Sequence, residues 1–268
     1  MNDAVPPVDV DPDDDGERRG ASALLRDLDR LLRGRFTTPE RLRTGRTEIP
    51  LRRLAAACLV LGAIYGAAMG LFAVTTRPAD EGMLQVLSSA LKVPLLFLLT
   101  LVVTFPSLYV VSALARSRLR PGDTLRLLLA AIAVHLALLA SLGPVAAFFT
   151  LSTDSYPFMK LLHVAFFGAS GLAGLAFLRR ALDVIFEGGP SPDPARVAEG
   201  ETAAPAPGTE PIRRVFRVWI VIYGVVGAQM GWILRPFIGA PHLEFTWFRA
   251  RESNIVEALV HTFADLLR

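Results

Sequence analysis

The sequence predicts an all-α polytopic transmembrane bundle with five spans and amphipathic interfacial helices at both ends. Three observations carry this. Apolar residues make up 52% of the 268 positions, and they are pooled into long runs rather than spread at a period of 2 or 3.6. The charged residues, 20% of the chain, fall between the runs. Each run is long enough to cross a hydrocarbon core of about 30 Å as a helix. The net charge of +3 and a pI near 9.4 do not change this reading, because the basic residues sit in the connecting segments. A soluble enzyme, a nucleic-acid binder and a disordered chain are all poor fits.

Residues 1–20 carry seven acids against two arginines, with three prolines. Such a segment buries too little apolar surface to offset its ordering entropy and reads as a disordered acidic tail. Residues 21–53 form an amphipathic basic segment. Within it Leu24, Leu25, Leu28, Leu31 and Leu32 share one helical face, with Arg26, Arg30 and Arg33 around it. Two readings stay open for that helix: it lies on an anionic membrane surface, or it packs on the protein's own loops.

The runs Leu54–Val74, Val93–Leu114, Leu125–Phe149 and Leu161–Leu178 make a four-span membrane core over residues 54–178. Each must be helical, since in lipid the backbone has to satisfy its own hydrogen bonds. Pro144 gives the long third run a place to bend. Residues 179–214 contain a Pro/Ala/Gly/Glu stretch without apolar periodicity and read as a flexible cytoplasmic linker. The run Val215–Leu234 is the fifth span, within residues 215–235. Residues 236–268 form an external aromatic loop and an amphipathic helix over Asn254–Leu267.

Basic residues alternate along the connectors. Eleven arginines precede the first span, the segment 75–90 holds only Arg77, the next holds Arg116, Arg118 and Arg120, and STDSYPF holds none. The fourth connector is again arginine-rich. By the positive-inside rule the N-terminus is cytoplasmic and the C-terminal segment external. No cleavable leader is visible, so the first span is expected to act as an uncleaved insertion signal. The lone Cys58 permits no intramolecular disulfide. An arginine-rich, alanine-rich composition with two lysines, Lys92 and Lys160, suggests a high-GC bacterium and its plasma (inner) membrane.

Chemistry-bearing residues are few. Gly62, Gly66 and Gly70 recur every four residues in the first span, and Gly224, Gly227 and Gly231 repeat the device in the fifth. Such faces let helices approach closely, within one chain or between copies. Thr100, Thr104 and Ser107 share a face of the second span, which also carries Pro94 and Pro106. They line a permeation path, satisfy backbone freed by the prolines, or bond a neighbouring helix. His135 lies near the centre of the third span with no acid in any apolar run, which favours a neutral, hydrogen-bonded imidazole over a proton relay. Gln229 is an amide inside the fifth span and is expected to face the bundle, with Trp232 and Arg235 near the outer interface.

Two motif matches fail on their own chemistry. Asp11, Asp13, Asp15 and Gly16 copy the start of a calcium loop, but Ser22 stands where a bidentate glutamate is needed. Gly168-Ala169-Ser170-Gly171 resembles the serine motif of rhomboid intramembrane proteases. That family needs a histidine base on a later span, and the fifth span has none. No catalytic set, cofactor motif or metal-ligand cluster is read from the sequence.

The layout, over roughly residues 50–235, resembles the Yip1-like group of small membrane proteins. Their DLxGP and GYxxxP motifs are absent, the nearest strings being Ser141–Pro144 and Phe105–Tyr109. The resemblance implies a membrane-organising role and transfers no site residues. The function expected from the sequence is a non-enzymatic membrane scaffold or accessory subunit. Its partners would be the lipid bilayer and either a second copy or a membrane-complex partner, with no nucleic acid. The alternative is an oligomeric channel lined by Thr100, Thr104, Ser107 and Gln229 with Arg235 at its mouth; a rhomboid-like protease is the remote third.

Overall fold

A computed structural model describes residues 50–114, 121–187, 209–239 and 244–248, together with Arg26, Leu28, Asp29 and Leu31. The acidic tail, the central part of the linker (188–208) and the C-terminal amphipathic helix lie outside the described residues. Among the described residues five long helices follow in order: α1 (Leu51–Thr76), α2 (Ala79–Leu114), α3 (Pro121–Ser152), α4 (Tyr156–Glu187) and α5 (Thr209–Leu234). No strand occurs among them. Each of the five helices contains a stretch long and apolar enough to cross a membrane, so the chain is an all-α polytopic membrane bundle.

The helix boundaries differ from the hydropathy limits. The connector expected over 75–90 shrinks to two residues, because α2 starts at Ala79 and runs for 36 residues. Asp80 and Glu81 occupy its first turn, where carboxylates meet the positive end of the helix dipole. Thr75 and Thr76 both donate to the Phe72 carbonyl, at 2.9 and 2.8 Å, and close the end of α1. Likewise α4 continues to Glu187 and α5 begins at Thr209, so both ends of the expected linker are helical. The short connectors 77–78 and 153–155 lie at one end of the bundle, termed the upper end.

Packing fixes a spatial order of α4–α3–α1–α2–α5. The α1–α2 contact is the tightest. A Cβ at Gly62 would stand 2.8 Å from Pro94 Cβ, one at Gly70 would stand 2.7 Å from Val86 Cα, and one at Gly66 would overlap the Ser89 carbonyl oxygen. The first-span glycines therefore face α2 of the same chain, backbone against backbone. In lipid, where apolar surface gains little by leaving the tails, such close van der Waals contact is what holds helices together. On the other side α1 meets α3, and the Cys58 thiol points at the Leu129 carbonyl, 3.7 Å away. Leu31 is buried and Leu28 half-buried against the core, while Arg26 and Asp29 are exposed. These residues of the N-terminal segment turn their apolar side to the protein.

Gly66→Leu is expected to destabilise the bundle by at least the 1–3 kcal/mol, roughly, of ordinary overpacking, because backbone cannot move aside as a side chain can. Gly122→Ala, where a Cβ would meet nothing within 4 Å, is expected to leave the melting temperature nearly unchanged. Thermal unfolding in one detergent compares them; equal melting temperatures would refute the close α1–α2 packing.

Candidate functional site

Helix α5 runs antiparallel to α2, and contacts set its height. Trp219 Nε1 donates to the Thr104 carbonyl at 3.2 Å, Gly227 lies beside Thr100 and Gly231 beside Leu96. Since Pro94 abuts Gly62, Leu234 ends close to the mid-height of α1. From there the chain continues as non-helical backbone beside the upper part of α2. Irregular backbone at such a depth persists only where protein satisfies its polar groups.

Three side chains of α2 do so. Gln85, Ser89 and Lys92 follow i, i+4, i+7 spacing and form one buried stripe. The Gln85 amide donates to the carbonyls of Pro236 (3.2 Å) and Phe237 (2.9 Å). Ser89 Oγ donates to Phe237 O. Lys92 Nζ donates to Pro236 O at 3.2 Å and to Trp247 O, and lies 5.2 Å from the centre of the Phe248 ring. Gly239, at φ 78°, adopts a left-handed conformation, and a Cβ there would stand 3.1 Å from Gln85 Cγ.

The end helices α4 and α5 form no extended interface with each other among the described residues. Between them lies a groove of about 570 Å³. Its floor is Met69 of α1, Leu96, Phe97 and Thr100 of α2 and His135 of α3; its walls are α4 from Tyr156 to Phe167 and α5 from Tyr223 to Trp232. Pro236, Phe237 and Ile238 border it above α5. It opens sideways, toward the surface a bilayer would cover, past exposed Val164, Gly224 and Ala228.

An aromatic and imidazole cluster lines the groove's depth. Phe97 stacks on Phe167 with ring centres 6.0 Å apart and meets His135 edge-on at 4.7 Å. Tyr65 and His163 are buried, and Tyr65 Oη lies 2.8 Å from His163 Nδ1. The Nε2 atoms of both His135 and His163 are buried without a hydrogen-bond partner among the described residues. Lys160 and Arg235 bring positive charge to the same groove. Lys160 Nζ lies 4.9 Å from the Tyr156 ring centre, and the Arg235 guanidinium carbon lies 3.9 Å from that of Trp232.

Several sequence-derived candidates take different roles. Gly224, Gly227 and Gly231, read as a packing face, all line the groove, and the last two also pack on α2. A Cβ at Gly224 would meet nothing within 4 Å, and at Gly227 and Gly231 the nearest atoms are 3.6 and 3.9 Å away. Gln229, expected to face the bundle, is exposed, since two residues on from Gly227 is about 200° around the helix. The hydroxyls expected along a pore bond back to their own helix: Thr100 to Leu96 O (2.6 Å), Thr104 to Thr100 O (2.7 Å) and Ser107 to Thr104 O (2.7 Å). Thr100 and Thr104 are buried on the side that meets α5, whereas Ser107 is exposed. Ser170 is buried and donates to Phe166 O at 2.6 Å. His135, Thr100 and Arg235 are the polar sequence candidates that the groove brings together, beside the three glycines of α5.

Sequence reasoning missed the stripe of Gln85, Ser89 and Lys92, although its i, i+4, i+7 spacing was readable. It also missed the Tyr65–His163 pair, whose members are 98 residues apart. Comparison of the chain with models of known families, with curated proteins and with solved structures finds no match.

Replacing Lys92 with Met removes two charge-assisted hydrogen bonds, each worth about 1.5–3 kcal/mol, and loosens the segment after α5. In a Cys58→Ala background, a cysteine at buried Ile238 is expected to react with a maleimide at least about tenfold faster once Lys92→Met is added. An unchanged rate would mean the lysine does not hold that segment.

Proposed function

We propose that the protein is a non-catalytic integral membrane subunit that holds one amphiphilic, lipid-class ligand in the groove between α4 and α5. The observation that carries this is the lateral opening. An apolar groove with polar groups confined to a few places, entered from the side of a bundle, matches a ligand that partitions into the bilayer rather than one that crosses it. The scaffold or accessory role expected from the sequence agrees with this reading, as does the membrane-organising role of the Yip1-like group. Exposed Gln229 also supports it, because an amide in contact with lipid is costly until a partner chain covers it. The permeation reading is disfavoured, since the hydroxyls it relied on are bonded to carbonyls of their own helix. The protease reading is disfavoured because His163 Nδ1 lies against Tyr65 and Ser170 is bonded to Phe166.

The protein purified in detergent is expected to retain one lipid per chain in native mass spectrometry. Gly224→Phe, at a groove-lining position where a Cβ would meet nothing within 4 Å, is expected to remove it without lowering the melting temperature. Wild type without bound lipid, or a Gly224→Phe variant that keeps it, would refute the proposal.

We further propose a cytoplasmic N-terminus and an external upper end in a bacterial plasma membrane, on the strength of the arginine-rich lower connectors. With Cys58 replaced by Ala, Ser155→Cys is expected to react with a membrane-impermeant maleimide on intact cells, and Ala204→Cys only after lysis. The reverse pattern would invert the topology.

A further inference from the structure

We infer that the partner covering Gln229 is a second copy of this chain, docked α5 to α5 about a two-fold axis along the membrane normal, with the two Gln229 amides bonded to each other. The pairing rests on the membrane-subunit reading above and is independent of the ligand in the groove, which opens on another side of α5.

Gln229 stands about 18 Å along the chain's last helix from Arg217 and about 9 Å from Arg235. The amide therefore lies among hydrocarbon tails rather than headgroups. It is exposed, and among the described residues it has no hydrogen-bond partner. The exposed hydroxyls of Ser107 and Ser141 differ, since each donates to a carbonyl of its own helix at 2.7 Å. The amide oxygen has no such recourse. It needs a donor, and the N–H groups of a helix interior are already engaged. Lipid tails supply none, so the donor has to come from another chain.

The rest of that face fits a parallel copy of the same helix. Val218, Ile222 and Val225 are exposed, and with Gln229 they follow i, i+4, i+7, i+11 spacing, the alternation of four and three that makes a coiled-coil seam. Val225 and Gln229 each stand two residues from Gly227, about 200° around the helix, so the seam is turned away from α2. Among the described residues α5 shares an extended interface with α2 alone, which leaves the seam open to approach. Two copies inserted with one topology can share a two-fold axis only along the membrane normal. Each seam residue then meets its own counterpart at the same depth. For valine and isoleucine the result is apolar packing. For Gln229 it sets an amide against an amide, each with N–H donors and an acceptor oxygen. An unrelated partner would have to bring a polar group to this depth, whereas a second copy has one by symmetry. A single polar residue in an apolar seam also fixes the register of the pair.

The test reconstitutes the full chain into liposomes over a range of protein-to-lipid ratios. The chain carries a fluorophore on Ala204→Cys in a Cys58→Ala background, and single-molecule photobleaching counts chains per particle. Pairs are expected, and Gln229→Leu is expected to raise their dissociation constant about five- to thirtyfold, the range that interhelical hydrogen bonds supply in lipid. Gln229→Asn, which keeps an amide, is expected to fall between the two, nearer the parent chain. In unlabelled Cys58→Ala chains, Val225→Cys is expected to give disulfide-linked dimers when the membranes are treated with copper phenanthroline. Leu172→Cys, exposed on α4, is expected to give none. Gln229→Leu is expected to keep the lipid of the groove, so loss of pairing and loss of ligand are read separately. Chains that stay single at every ratio overturn the inference, as does pairing indifferent to Gln229→Leu. Cross-linking at Leu172→Cys as fast as at Val225→Cys overturns it too, because chance collision would then explain both. None of these results touches the groove reading, which stands or falls on retained lipid.

Discussion

The constraint on which the rest of the structure depends is that backbone carbonyls after Leu234 run beside apolar helix rather than in water. Inside a helix those groups would bond to their own turn. Outside one, within the bundle, each needs a donor from elsewhere in the protein. Gln85, Ser89 and Lys92 are those donors, and their position explains why α2 is so long. Its first four turns extend past the end of α5 to reach Pro236, Phe237 and Trp247. The same turns must also lie close against α1, and Gly66 and Gly70 make room for them. One need therefore accounts for the glycine face, the polar stripe and the early start of the second helix.

The groove is a by-product of that arrangement. Helices α4 and α5 stand at opposite ends of the packing order and share no extended interface among the described residues, so a space stays open between them, and the segment from Pro236 to Ile238 borders it above α5. Glycines on the groove side of α5 keep the wall thin. The polar side chains sit where they do not expose the backbone: His163 is tied to Tyr65, and Thr100 to its own helix.

The five helices are legible in the sequence because apolar runs of bilayer length have few alternatives. What hydropathy cannot see is direction around the helix. Gln85, Ser88, Ser89 and Lys92 lower the mean hydropathy of the first turns of α2, so hydropathy alone starts the second span at Val93. All four side chains are buried on one side of a helix that has already begun. The two glycine triplets show the same limit. Their spacing is nearly alike, yet one meets backbone at less than contact distance, while the other has α2 side chains at ordinary contact distance from Gly227 and Gly231 and open space at Gly224. Spacing reveals which residues share a face, not what stands opposite. The cost of an amide in lipid argues for an inward Gln229, but its angular offset from Gly227 turns it outward. Tyr65 carries no signal, and His163, an imidazole inside the fourth run just as His135 is inside the third, gives no clue to its partner, because only the tertiary fold joins the two.

Lys92 also has a consequence for biogenesis. An ammonium and two further polar side chains on α2 enter the membrane long before the carbonyls that will satisfy them have been synthesised. The partners lie more than a hundred residues downstream, across α3, α4 and the segment that precedes α5. Until then Gln85, Ser89 and Lys92 lack the carbonyls that they meet in the finished fold. A chain that stops before Pro236 lacks them altogether, and its fold differs from the complete one by an open polar seam along α2.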